Sequence, residues 1–419
     1  MSSNLSDPFN SLRSLTVAEN GGTLARPRVN SHIHLPPNFS AFETLEQAMD
    51  LAGAQEIGVL GVSNYYDYSV YNDFLSAARQ RNIFPLFGIE IISLVDDLVR
   101  AGVKINDPGN PGKMYICGKG ITRFNDMTPA GQELLDLIRS SDSQRMAEMA
   151  TRIAAIFAEA GVDTGINEEA VKAMIVRRHG SRPETVYLQE RHIAQAVQEA
   201  FFERVPSDQR AARLEAIFGA ASKAPDDAVG VQNEIRSHLM KAGKPGYIDE
   251  TFVSFEQAYQ LILELGGIPC YPVVADGMSP LSGFEAPVES LIRNLAERNL
   301  FCAEFIPLRN SATVLREYVE AMRAAGIVVT AGTEHNTLEL LPIEPTCVGG
   351  EPIPDDIKDI FWEGACVVAA HQHLTLQGET GFVDAKGNPN PAYKSNEERI
   401  AAFRKIGAGL IKSYQEANV

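Results

Sequence analysis

The sequence predicts an α/β fold, a (β/α) barrel carrying a large all-helical insertion. Three observations lead there. Short β-rich runs alternate with amphipathic helical stretches in both the first and the last third of the chain. Residues that bind metals or move protons fall at the carboxyl ends of those runs, where a closed barrel gathers its functional side chains. One stretch, residues 125–249, breaks the rhythm and reads as nearly all helix. An open doubly wound sheet is the alternative arrangement of the same elements.

The strand-like runs are residues 28–31, 57–64, 83–91, 113–121, 268–275, 301–307 and 327–334. Helical stretches separate most of them, at 44–54, 71–81, 255–265, 288–298 and 312–325, and that alternation indicates a parallel sheet. Gly266-Gly267 and Gly326 stand where helices should stop before the next strand. These runs define a barrel from two segments, 28–124 and 250–340. The insertion (125–249) is expected to rise from the catalytic rim, either shaping the pocket as a lid or serving as a structural or oligomer contact. Residues 1–27 are polar with Gly21-Gly22 and read as a flexible arm. Residues 341–419 comprise a Pro-rich loop, a helix holding the only tryptophan (Trp362) and a final amphipathic helix, all expected to pack on the barrel.

Composition narrows the function. Apolar residues make up 45% and charged residues 22% of 419, which suits a soluble globular protein with a large core. A formal net charge of -17 argues against non-specific binding to nucleic acid or to an anionic membrane. It leaves a small anionic substrate open, because a few local cations override a global field. The five cysteines are scattered without a C-x-x-C pair, as expected of buried free thiols in a reducing compartment. No apolar run approaches about 18 residues and no signal-peptide pattern is visible, so a cytoplasmic location is expected. A homo-oligomer is left open.

The first strand ends in Ser31-His32-Ile33-His34. Residues two apart on a strand share a face, so His32 and His34 project together, either as a metal-binding pair or as two satisfied histidines. Other strand ends carry Tyr65 and Asp67, then Glu90, Tyr115, Tyr271, Glu304, and finally Glu334-His335-Asn336. Two imidazoles with carboxylates from two distant strands can surround one cation of zinc, manganese or iron.

These motifs resemble those of the PHP (polymerase and histidinol phosphatase) superfamily of metallophosphoesterases. The family's opening H-x-H matches His32 and His34, and its G-I-E matches Gly88-Ile89-Glu90. Its G-G-I-P before a metal-binding A-H-P matches Gly266-Gly267-Ile268-Pro269 followed by Cys270-Tyr271-Pro272. Its closing G-S-D-x-H is similar to Gly332-Thr333-Glu334-His335-Asn336. The resemblance covers residues 28–124 and 250–340 and implies a distorted seven-stranded barrel of PHP/amidohydrolase type. The chain departs from the pattern at Asn64-Tyr65, Tyr115, Tyr271 and Asn336, where the family has metal-binding histidines or acids. Tyrosine, with a pKa near 10, seldom ligates zinc or manganese.

The retained set, His32, His34, Glu90 and Glu334, implies one divalent metal ion rather than a trinuclear cluster. His335 is expected as a further ligand or proton carrier. Tyr65, Tyr115 and Tyr271 are expected as hydrogen-bond donors or general acids, with cavity filling as the structural alternative. Asp67 is a candidate base, or else a turn or N-cap residue. Lys104, Lys113, Lys119, Arg123 and Arg309 flank strand ends and are candidates to neutralise a carboxylate or phosphate, or are simply solvated charges. The resulting expectation is a hydrolase acting on a small anionic substrate through a single metal-activated water. Two alternatives stand beside it: a metal-dependent isomerase, epimerase or lyase acting on a sugar-acid-like compound, and a non-catalytic barrel.

Overall fold

The computed structural model describes residues 9–17 and 26–417. Its sheet is built from β1 (Arg28–Ile33), β2 (Ile57–Val62), β3 (Phe84–Leu94), β4 (Lys113–Lys119), β5 (Val253–Ser254), β6 (Ile268–Val273), β7 (Cys302–Phe305) and β8 (Val328–Ala331). The seven-strand path runs β1-β2-β3-β4-β6-β7-β8, with the short β5 added to the far end of β3. The path curls into a nearly closed barrel. Its two ends meet where Ile33 bridges Glu334, His34 N donates to Glu334 O at 2.8 Å, and Thr333 N and Glu334 N donate to His32 O at 3.0 and 2.9 Å. The seam therefore runs through the H-x-H motif itself.

The expected parallel sheet is corrected at one strand. β4 pairs antiparallel with both β3 and β6. The only helix between β3 and β4, Asp96–Ala101, is about 9 Å long, and Val95 N donates to Gly112 O at 2.8 Å, so the link closes on itself at the rim and β4 returns down the barrel wall. This reversal explains the placement of the insertion. β4 delivers the chain to the bottom of the barrel, where Thr128 Oγ1 donates to Glu264 Oε2 at 2.5 Å, just ahead of β6. The helix Pro129–Glu159 then climbs back, its 31 residues spanning about 46 Å. Leu135 and Ile138 pack in the barrel core, Arg139 reaches the Tyr66 carbonyl at the rim, and from Met146 onward the helix enters a second core. That core is made by Ile153, Phe157, Ile193, Phe201 and Leu239 of the insertion itself.

The part of the arm at residues 9–17 is not loose. Asn10–Arg13 form a helical turn, and Phe9 packs edge-on against Phe87 (5.5 Å) and Phe124 (5.2 Å). The rest of that arm, residues 1–8 and 18–25, lies outside the described residues. Among the described residues, no helix is long and apolar enough to cross a membrane. The five cysteines are free and buried.

The helix Asp355–Leu376 packs on β8 and reaches the bottom of the barrel, where the Gln372 side chain accepts from Phe87 N and donates to Pro85 O. His371 donates from Nε2 to Gly266 O at 2.8 Å and accepts from Phe382 N at 2.9 Å, and His373 bonds Leu12 O, so both serve packing far from the rim. The helix Asn396–Ala417 lies against it through Gly407, where an added Cβ would sit 1.9 Å from the Cys366 carbonyl oxygen. Gly407→Ala is therefore expected to lower stability by about 1–3 kcal/mol despite its better helix propensity. Chemical denaturation checks this; an unchanged or raised midpoint contradicts it.

Candidate metal centre

Alternation along the strands decides which side chains enter the barrel. In-register neighbours across parallel strands share a face, so Pro272, Glu304 and Thr330 point one way while Tyr271, Ala303 and Val329 point the other. Glu304 is wholly buried and meets His32 across the lumen, which makes its face the inner one. β1 contributes His32 and His34, β3 contributes Glu90, and β4 contributes Lys119, Cys117 and Tyr115. Gly332 at the end of β8 makes room: a Cβ there would lie 2.3 Å from His32 Cβ.

At the rim, three atoms converge. His32 Nε2 and His34 Nε2 are 3.4 Å apart, and Glu90 Oε2 lies 3.5 Å from the first and 3.2 Å from the second. Tyr65 stacks on His34, with ring centroids 5.2 Å apart and planes 5° from parallel, and its hydroxyl donates to Glu90 Oε1 at 2.9 Å. Glu90 Oε2 is buried and accepts no hydrogen bond, and His34 Nδ1 is likewise without one. Burial would push the Glu90 carboxyl up, but the His32 and His34 imidazoles beside it win and hold it well below the usual carboxylate range. The Tyr65 phenol is driven far above its ordinary value, mainly by burial and then by Glu90, so it stays protonated and donates.

Behind the triangle sits the residue that sequence reasoning left without a role. Glu304 Oε2 lies 2.6 Å from His32 Nδ1, and Glu304 Oε1 lies 2.5 Å from Lys119 Nζ. This carboxylate places the proton on Nδ1, so His32 turns Nε2 toward His34 and Glu90. Burial opposes the charged forms, yet Glu304 still raises His32 well above its normal pKa, and Lys119 and His32 together lower Glu304. An acidic residue inside the apolar run 301–307 was the available signal. Cys117, His32 and Glu304 also present ligand-type atoms within 4.8 Å of one another. There the Lys119 ammonium already occupies Glu304, and burial lifts the Cys117 thiol to about 12, which leaves it protonated at neutral pH.

Other expected site residues fall elsewhere. The Glu334 carboxylate stands outside the triangle; it is engaged by Arg309 and by Asn336 Nδ2 at 2.5 Å. Glu334 and His335 both adopt left-handed backbone (φ 56° and 54°), a strained turn that redirects both side chains. His335 is spent on structure: Asn30 Nδ2 donates to Thr333 Oγ1, Thr333 donates to His335 Nδ1 at 2.7 Å, and His335 Nε2 donates to Leu341 O at 2.9 Å. Tyr271, on the outer face, donates to Glu285 at 2.7 Å beneath Phe284, away from the triangle. Asp67 is a turn residue accepting from Ser69 N at 2.9 Å. Tyr115 stays near the rim with its ring 5.6 Å from Lys113 Nζ.

The five cations also divide. Arg309 is at the rim with Glu334. Lys119 is in the lumen with Glu304, and Lys113 is buried in ion pairs with Glu250 (2.8 Å) and Asp107 (3.5 Å). Lys104 is exposed. Arg123 follows the reversed β4 and so lies at the bottom of the barrel, beside Leu265.

No family model matches the sequence, and no curated protein matches it significantly. Solved structures do resemble it. A protein of Bifidobacterium adolescentis described as a metal-dependent phosphoesterase aligns with a TM-score of 0.52 at 16% identity, over 80% of this chain and 95% of the other. The likeness is one of fold. An amidohydrolase of Chromobacterium violaceum, solved with bound sulfate and no metal, gives 0.49 at 19% identity, over 80% of this chain and 96% of its own. The first shares the distorted barrel that the motif resemblance implied.

Glu285 gives a pH signature to the outer wall. Burial holds its carboxyl up to about 7, above the ordinary 4.5, even though Tyr271, Ala275 N and Val274 N all donate to it. The folded state then binds this proton more tightly than the unfolded chain. Its contribution is complete below pH 4.5 and is lost as pH rises to about 7. Wild type should therefore lose about 1–3 kcal/mol relative to Glu285→Gln between pH 5 and 8. Parallel stability–pH curves from urea unfolding would contradict this.

Proposed function

We propose that this protein is a metal-dependent hydrolase that binds one divalent cation (zinc, manganese or iron) through His32, His34 and Glu90 and acts on a small anionic substrate. The observation that carries the proposal is the near-equilateral triangle of Nε2, Nε2 and Oε2, with edges of 3.2–3.5 Å. Ligand atoms about 2.0–2.1 Å from a tetrahedral metal stand about 3.3 Å apart, so the spacing is the one a cation requires. The unbonded Glu90 Oε2 has its lone pairs free for that purpose. Three protein ligands leave a position open, the pattern of catalytic rather than structural sites.

A divalent cation held there supplies Lewis acidity toward water and toward a carbonyl or phosphoryl group. The chain's own residues do the rest. Glu304 fixes the tautomer and pose of His32. Tyr65 clamps Glu90 Oε1 and the His34 ring, which leaves Oε2 aimed inward. Arg309 brings a positive charge to the rim; Glu334 holds it until an anionic substrate competes for it. A non-catalytic barrel would have no use for three uncovered ligand atoms in a buried triangle, which favours the enzyme over that alternative.

Metal analysis of the purified, reconstituted protein should give one cation per chain. His32→Ala, His34→Ala and Glu90→Gln should each reduce it to near zero, while Glu334→Gln should retain it. Glu304→Gln should weaken metal affinity by about 10–100-fold. Hydrolysis across a panel of chromogenic phosphate and carboxylic esters should vanish on chelation and return with metal. Full metal content in His32→Ala and Glu90→Gln would overturn the proposal.

A further inference from the structure

The two histidines of the triangle are supported differently. Glu304 holds the far nitrogen of His32, the kind of outer hydrogen bond that metal-binding imidazoles ordinarily have. His34 has no such partner: its Nδ1 is buried and unbonded. Its ring is held instead by Tyr65, stacked on it with centroids 5.2 Å apart and planes 5° from parallel. The same Tyr65 donates from its hydroxyl to Glu90 Oε1 at 2.9 Å. Two of the three corners therefore depend on where one tyrosine stands. That tyrosine is on the loop between β2 and the helix Tyr71–Gln80, not on a strand.

The loop is gripped from the insertion. Arg139, on the long helix Pro129–Glu159, donates to the Tyr66 carbonyl oxygen through Nε at 2.8 Å and Nη2 at 2.6 Å. The acids within its reach are farther off, Asp136 at 3.7 Å and Asp67 at 3.9 Å, so its short bonds go to the main chain next to Tyr65. Charge-assisted bonds of this kind are stronger than neutral ones and fix geometry better. The guanidinium also lies over the ring of Tyr187, another residue of the insertion, at 4.8 Å. Tyr187 meets the buried Tyr66 ring edge-on at 6.4 Å, and Tyr66 meets Tyr65 edge-on at 5.8 Å. A second tie runs through the loop after β1. Tyr65 N donates to Asn38 Oδ1 at 2.7 Å, and the next residue, Phe39, donates from N to Gln189 Oε1 of the insertion at 2.7 Å.

We propose that Arg139 is a positioning residue of the metal centre: by holding the Tyr66 carbonyl it sets the pose of Tyr65, and through Tyr65 the poses of His34 and Glu90. The proposal rests on the rim triangle being the metal site. The insertion is then part of that site although it supplies no ligand. It does for His34, through a loop and a stacked ring, what Glu304 does for His32 directly. Loosening Arg139 releases the tyrosine, and the cation meets ligands that must be ordered as it binds.

Zinc affinity of the full-length protein, measured by competition with a chromogenic chelator, tests this. Arg139→Ala should weaken zinc binding by about 3–10-fold, less than Glu304→Gln because it acts one residue further from the ligands. Tyr65→Leu should weaken it at least as much. Adding Arg139→Ala to Tyr65→Leu should then cost little more, since the route through Tyr65 is already gone; a general loss of stability would reduce affinity equally in both backgrounds. Arg139→Lys keeps the charge but not the two-nitrogen grip, so it should fall between wild type and Arg139→Ala, and it serves in place of the alanine variant if that fails to fold. In the metal-free protein, amide exchange at residues 64–68 should quicken in Arg139→Ala while β1 and β3 stay protected. Undiminished zinc affinity in Arg139→Ala, equal losses in the two backgrounds, or unchanged exchange at 64–68 overturns the proposal. The two readings fail separately. A wild type that takes up no zinc refutes the metal centre itself, whereas zinc loading that is indifferent to Arg139 refutes only this role.

Discussion

One buried carboxylate organises the interior. Glu304 is fully enclosed in the barrel, where an isolated charge would be prohibitively costly, and it is tolerated because Lys119 and His32 flank it at 2.5 and 2.6 Å. The Lys119 contact compensates the charge. The His32 contact sets the proton on Nδ1 and so points Nε2 at His34 and Glu90. Without Glu304 the His32 ring has neither a fixed tautomer nor a fixed pose, and the triangle loses one corner. Barrel closure reinforces the same point, since backbone hydrogen bonds from His34, Thr333 and Glu334 stitch the seam next to these imidazoles.

The second constraint is topological. The link between β3 and β4 closes on itself at the rim, where Val95 N donates to Gly112 O, so β4 runs backwards and leaves the chain at the bottom of the barrel. The long helix Pro129–Glu159 returns it to the rim and ends in a helical core of its own. The reversal thereby delivers the insertion to the mouth, with Gln189 and Arg139 bonded to the loops after β1 and β2. The same reversal sends Arg123 to the far end.

Much of this was legible in the residues. Strand and helix alternation gave the barrel, and the featureless helical run gave the insertion. His32, His34 and Glu90 could be placed together because H-x-H and G-I-E both end runs that read as strands, and period-two alternation sets the face of each, although β3 itself continues past Glu90 to Leu94. The same alternation, applied to β6, would have turned Tyr271 outward; the motif match to a metal-binding position obscured it. Glu334 and His335 could not be placed by periodicity at all, because two successive left-handed residues break the alternation. Strand direction was equally hidden: hydrophobic runs read the same in either sense, and only the lack of a long amphipathic stretch between the third and fourth runs hinted at the reversal. Glu304 was visible as an acid in an apolar strand, but its partners lie 185 and 272 residues away in sequence.

The most direct test of the central claim is anomalous diffraction from crystals grown with zinc or manganese, recorded at the metal absorption edge. The account predicts one strong peak at the rim, about 2.0–2.2 Å from His32 Nε2, His34 Nε2 and Glu90 Oε2, with His32 Nδ1 still bonded to Glu304. A metal-replete crystal with no peak between those three atoms, or with its only peak elsewhere, would contradict it.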